Sequence, residues 1–142
     1  MIGHLQTNKV KSAIKIFNSI HTIDRASLVE KILKLNKEIT RMNEFFVQIN
    51  FDSEKQKSGV SLDNFDDFIK ETNDKLNISG LMCIPPKTED PEIYFAFLKQ
   101  MAQKINLKKL SMGMSGDFQK AIMLGATHIR VGQAIMGERT YG

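Results

Sequence analysis

The chain reads as an α/β protein built on parallel strands, and three observations predict it. Short β-branched and apolar runs alternate with amphipathic helical segments along all 142 residues. The connections between them are short, and no change of composition marks a linker or a low-complexity segment. Strands separated by helices pair in parallel through right-handed crossovers. An open doubly wound sheet and part of an eight-stranded barrel both satisfy that pattern. At this length the chain is expected to form one domain, 1–142, with a real core but too short for a complete α/β barrel.

Each element has its own signal. Residues 2–5 are a short strand candidate, and Val10, Ala13, Ile14 and Phe17 then follow helical spacing up to Asn18. Residues 19–23 read as the next strand. Asp24, or Ser27 with Glu30 three residues on, caps a longer helix with Leu28, Ile32, Leu35 and Ile39 in one stripe. Residues 45–50, FFVQIN, are the clearest strand. After a loop, Ser61 caps a helix that turns Leu62, Phe65, Phe68, Ile69 and Leu76 inward. Asp63, Asp66 and Asp67 near its start and Lys70 and Lys75 near its end match the helix dipole. Residues 78–84 form another strand, stopped by Pro85-Pro86. Asp90-Pro91-Glu92 supplies a cap, a proline at the first helical position and an acid after it. Tyr94, Phe97, Leu98, Met101 and Ile105 fall on one face of the helix that follows.

The stretch from Lys109 to Gly137 organises the rest. Residues 110–114 are apolar with small residues interleaved, as in a strand covered on both faces. Ser115-Gly116-Asp117 has the signature of a helix start. Phe118, Ala121, Ile122 and Gly125 share a face, with Gly125 as the terminating residue. Residues 127–131 are strand-like, and Gly132-Gln133-Ala134 offers bare amides. Two neighbouring strand ends each open into an N–H-rich turn, a geometry suited to phosphate.

Composition narrows the function classes. The net charge is +4, all of it in residues 1–40, where seven Lys/Arg face three Asp/Glu. Those lysines lie on helix faces without interleaved aromatics, so a solvated surface is expected and no nucleic-acid partner. The single cysteine, Cys83, excludes an intrachain disulfide and a cysteine-based zinc site, so no metal is expected. No signal peptide or run of about 20 apolar residues is present, and the expectation is a cytosolic protein with no membrane partner.

Several motifs carry a family resemblance: IGHLQTNKVK, IHTID, the KSGV loop, GLMCIPP, LSMGMSGDF and HIRVGQAIMGERTY. Together they resemble the YggS-type pyridoxal phosphate homeostasis proteins, which share the barrel of the alanine racemase N-terminal domain. The resemblance implies a partial (β/α) TIM-type barrel, about six of eight units with parallel strands, binding pyridoxal 5′-phosphate at its C-terminal face. It implies that Ser115 contacts the phosphate, that Gly132 and Gln133 give it backbone N–H groups, and that Arg130 faces the pyridine nitrogen. Strand parity agrees, since His128, Arg130 and Gly132 share a face. The family's first two units, with the Schiff-base lysine, precede the point matching Met1, so that lysine is expected to be missing here.

Each candidate has a plainer reading. Ser115 alone is a helix cap, and Arg130 alone is an outward salt-bridging residue. The glycine turns and the resemblance favour ligand contact for both. His4 and His128 read as structural, Asn50 as a turn cap, Met82 as core and Cys83 as an inert buried thiol. Lys57, in a loop, stays protonated and is a poor substitute amine. The function expected is non-catalytic binding of pyridoxal 5′-phosphate in its homeostasis, weak in this chain, with apo-enzymes as recipients. An arginine at the ring nitrogen weakens the electron sink that catalysis uses. The alternatives are a racemase-like enzyme fragment, or a non-binding barrel half completed by another chain. Open strand edges predict self-association.

Overall fold

Alternation of side chains along five strands builds a sheet with two unlike faces. A computed structural model describes residues 1–35, 44–52, 58–87 and 89–137. Its elements, in order, are α1 (Val10–Ile16), β1 (Ser19–Ile23), α2 (Ala26–Lys34), β2 (Glu44–Asn50), the two-residue β3 (Val60–Ser61), α3 (Phe65–Asn73), β4 (Ile78–Cys83), α4 (Pro91–Lys104), β5 (Lys109–Met114), α5 (Phe118–Met123), β6 (His128–Arg130) and α6 (Gln133–Met136). The sheet order is β1-β2-β4-β5-β6, with β3 against β2, and every pair is parallel. This is a half-barrel of the (β/α) type, as the sequence led us to expect.

One face carries the core. Phe45, Val47 and Ile49 of β2, Leu81 and Cys83 of β4, and Leu110 and Met112 of β5 are buried in a single cluster with Ile14, Leu28, Ile32, Phe65, Ile69, Phe95, Leu98 and Ala121 from the helices. The alternate residues His21, Phe46, Gln48, Met82 and Ser111 are also buried, but on the opposite, inner face. The pairings Gln48 with Met82 and Met82 with Ser111 set them side by side across β2, β4 and β5.

Two glycines let the sheet close on its neighbours. A Cβ on Gly80 would stand 2.1 Å from the Lys109 carbonyl oxygen, so β4 and β5 approach there only because it is absent. Gly113 takes φ +93°, and a Cβ on it would meet Ala121 of α5 at 2.6 Å.

Several local expectations are corrected. Residues 2–5 form no strand. Met1 alone makes ladder-type bonds beside β1, its amine to the Ser19 carbonyl and its carbonyl from the His21 N–H. The carbonyls of Gly3 and Leu5 are taken instead by the Thr22 hydroxyl and the Arg25 guanidinium. Asp24 and Ser27 do not cap α2; Arg25 holds the cap position without a side-chain bond. The Asp24 carboxylate is occupied by His4 and Arg25. Ser61 likewise makes no capping bond to the backbone, and its hydroxyl accepts from the Asn64 amide. The inward face of α4 is Phe95, Leu98, Met101 and Ala102. Tyr94 and Phe97 pack instead on Phe51, with ring centroids 5.1 and 5.8 Å away. Asp90 does cap α4, accepting the Glu92 N–H at 3.1 Å with Pro91 at the first position. Gly125, at φ +97°, does end α5: the Gly125 and Ala126 N–H groups return to the Ile122 and Ala121 carbonyls. Ile39 and Lys57 lie outside the described residues.

Candidate functional site

The C-terminal tips of β5 and β6 meet. Past β5 the chain makes a tight turn in which the Asp117 carboxylate accepts the Met114 N–H at 2.5 Å. Asp117, not Ser115, therefore stands at the cap position of α5. Ser115 is left three residues ahead of that helix, and its hydroxyl reaches across to accept the Ala134 N–H at 3.2 Å. Gly132 is the cap residue of α6, the short helix that begins at Gln133. A Cβ on Gly116 or on Gly132 would meet nothing within 4 Å. The two tips are thus joined by a hydrogen bond and open above, with the exposed residues 132–134 beside a serine hydroxyl that already takes the Ala134 N–H.

Arg130 stands two residues before Gly132, on the inner face. Its Nη1 donates to the Ser111 hydroxyl at 2.8 Å and its Nη2 to the Cys83 carbonyl at 2.7 Å. Burial lowers its pKa, but an arginine so placed remains a cation. Among the described residues no carboxylate pairs with it. The outward salt-bridge reading of Arg130 is therefore not the one the fold adopts. A half-buried cation with three further N–H donors is free to meet an incoming acceptor.

Sequence reasoning missed His21 and Ser111. The His21 Nδ1 lies 2.7 Å from the Ser111 hydroxyl, although 90 residues separate them. His21 stacks on Phe46 at 4.3 Å, and the His128 ring meets both edge-on. Burial first, then the charges of His128, the N-terminus and Arg130, push the His21 pKa down to about 4. Strand parity places His21 on one face or the other, but no sequence signal names a partner that far along the chain.

The remaining candidates fall where the plainer readings put them. The Asn50 side chain accepts the Asp52 N–H at 2.9 Å and closes the turn after β2. Met82 is fully buried. Cys83 is buried in the helix-facing core, which pushes its thiol up to about 12. His4 binds Asp24 at 3.1 Å. His128 faces Glu44 at the opposite, N-terminal end of the strands, where Glu44 also pairs with Lys109. A cleft of about 640 Å³ opens at the C-terminal ends of β2 and β4, between His4, Asn50, Ser58, Ile84 and Lys87. None of Ser115, Arg130, Gly132 or Gln133 lines it, although Ile84 follows Cys83, whose carbonyl Arg130 holds. Among the described residues there is no group of His, Cys, Asp or Glu able to hold a metal ion, and no helix is long and apolar enough to cross a membrane.

Parallel strands with helices outside and glycine turns at the strand ends define a portion of a (β/α) barrel. Comparison with known proteins gives that class a family. Residues 1–140 match the model of the alanine racemase N-terminal domain. A pyridoxal phosphate homeostasis protein of Aquifex aeolicus is 37% identical over 99% of this chain and 66% of its own length. The protein of the same name from Synechocystis is 34% identical, over 97% of this chain and 68% of its own length. PipY of Synechococcus elongatus, at 29% identity over 95% of this chain and 68% of its own, superposes with TM-scores of 0.86 without PLP and 0.83 with PLP bound. This chain belongs to the alanine racemase N-terminal-domain family, in the branch of the pyridoxal phosphate homeostasis proteins. It spans about two thirds of the length of the curated relatives it matches.

Proposed function

We propose that this chain binds pyridoxal 5′-phosphate at the joined tips of β5 and β6 and serves its homeostasis without catalysing a reaction. One observation carries the reading: the Ser115 hydroxyl, bonded to the Ala134 N–H, and the glycines 116 and 132 border open space, while Arg130 stands close by with no carboxylate paired to it among the described residues. The relatives' names and the PLP-bound PipY structure supply the identity of the ligand. When bound, that cofactor supplies a reactive aldehyde and an electron-accepting ring. Ser115, Gly132 and Gln133 would hold its phosphate through a hydroxyl and backbone N–H groups. Arg130 would hold its ring nitrogen by donating a hydrogen bond, which leaves that nitrogen without a proton and the ring a weak electron sink. Such a site suits holding and release more than turnover.

The tip residues 114–117 and 130–134 include no lysine, and Lys87 lines the cleft beyond β4 rather than the tips. Lys109 pairs with Glu44 at the other end of the sheet, and Lys120 with Asp90 and Glu92. Binding should accordingly be weak and reversible, with apo-enzymes that use the cofactor as its recipients. Absorbance titration with pyridoxal 5′-phosphate, before and after borohydride, tests this. Saturable binding without a stoichiometric reduced adduct is expected. A reduced adduct on one lysine, or racemisation of an amino acid above background, contradicts the non-covalent, non-catalytic reading. Ser115→Ala should weaken phosphate binding roughly three- to tenfold, the worth of one hydrogen bond to an anion.

A further inference from the structure

Arginine only donates hydrogen bonds, so the Ser111 hydroxyl must accept from Arg130 Nη1. The one proton on that hydroxyl is then left to donate to His21 Nδ1, 2.7 Å away. In that arrangement His21 Nδ1 accepts and the ring proton sits on Nε2; the opposite tautomer would make the hydroxyl a double acceptor and leave its buried proton without either of these partners. A directed chain therefore runs from β1 through β5 to the guanidinium on β6, with the Cys83 carbonyl of β4 holding its other prong. The chain's far end is fixed as well. Phe46 stacks on the imidazole and His128 closes its edge, so the ring has one orientation to offer.

We propose that His21 is a positioning residue that fixes the Arg130 guanidinium through Ser111, as a neutral acceptor that leaves the arginine its full charge for a ligand. The proposal rests on the reading of Arg130 as the residue that meets the ligand's ring. A carboxylate at position 21 would order the same chain but would draw on the charge that an electron-rich ring nitrogen needs. An imidazolium there would instead set two cations on one hydroxyl. The charged and titratable groups that face His21 are His128, the Met1 amine, Arg130 and Glu44. Burial and the first three of them disfavour its protonation, which keeps it an acceptor near neutral pH.

Nitrogen-15 NMR of the ligand-free protein reads the chain directly. The expected result is a His21 Nδ1 without a proton and an Nε2 with one; the opposite tautomer overturns the proposal. Arg130 should show restrained Nη1 signals that are lost in His21→Leu and in Ser111→Ala, while Nη2 keeps its bond to the Cys83 carbonyl. His21→Asn should keep them, because the asparagine oxygen replaces Nδ1 as the acceptor. Restrained Nη1 signals persisting in Ser111→Ala would overturn it too. Affinity for pyridoxal 5′-phosphate should fall roughly three- to tenfold in His21→Leu and Ser111→Ala and stay near the original in His21→Asn. Affinity for inorganic phosphate should be unchanged in all three. If the unaltered protein binds inorganic phosphate but no pyridoxal phosphate, the ligand reading fails, and the tautomer and guanidinium signals still decide the positioning role. Should His21→Leu not fold, the tautomer and the Ser111→Ala and His21→Asn pair decide the same question.

Discussion

His21 ties the stability of the protein to pH with a definite sign. Its folded pKa is about 4, below the ordinary 6.5. Between those values the unfolded chain takes up a proton that the folded chain refuses. The full contribution is present above pH 6.5 and is lost as pH falls toward 4, amounting to on the order of 3 kcal/mol at most. Urea unfolding at pH 7.5 and 4.5 should show a larger loss for the native sequence than for His21→Asn; equal losses would remove His21 as the cause. Cys83 makes a second prediction at this scale. With its thiol fully buried and pushed up to about 12, it should resist alkylation at pH 8 until the protein is denatured. Rapid labelling of the native state would contradict its placement. What the sequence revealed about single residues followed how local their partners are. Asn50 was legible as a turn cap because it bonds two residues ahead. His21 was not, because the hydroxyl it meets lies 90 residues away.

Elements were more legible than their ends. The strands β2, β4, β5 and β6 lie within a residue or two of where apolar runs placed them, whereas the two-residue β3 falls where a loop end and a helix cap were read. The caps went otherwise at Asp24, Ser61 and Ser115, because each side chain has a tertiary or local partner that competes with the helix N–H groups. At Ser115 that competition shapes the proposed site: the hydroxyl that reads as a cap on α5 is turned to the head of α6. Asp117 takes over the turn, so Asp117→Ala should loosen it and lower affinity for phosphate. An unchanged affinity would show that the turn does not depend on the carboxylate. Where α5 packs on β5 the tolerance is smallest. Gly113→Ala would force a left-handed backbone on alanine and press its Cβ against Ala121, at a cost of about 3 kcal/mol in unfolding free energy. A change within the error of denaturant unfolding would mean that α5 is free to shift.

On the scale of the whole molecule, β1 and β6 stand at the two edges of the sheet among the described residues, each paired with one strand, β1 having only Met1 on its other side. The β6 side also presents exposed apolar side chains, Met123 at 85% and Met136 at 84%, with Ile122, Ile129 and Ile135 near them in the chain. Unpaired edges beside apolar surface favour association. We expect light scattering during gel filtration to show mass rising with concentration. A monomer that stays sharp and melts cooperatively at high concentration would contradict this. The half-barrel was legible as α/β from alternation alone; choosing barrel over open sheet needed the family's motifs, because both architectures bury strands and helices with the same periodicity.

The proposed ligand binding rests on the paired tips of β5 and β6 gripping a phosphate. The most direct measurement is a nitrogen-15 amide titration of the ligand-free protein with pyridoxal 5′-phosphate, inorganic phosphate and pyridoxal. Saturable shifts concentrated at Gly116, Gly132, Gln133 and Ala134 with the two phosphate-bearing ligands, and none there with pyridoxal, are the predicted result. Those amides standing still under phosphate, or pyridoxal moving them equally, would contradict it.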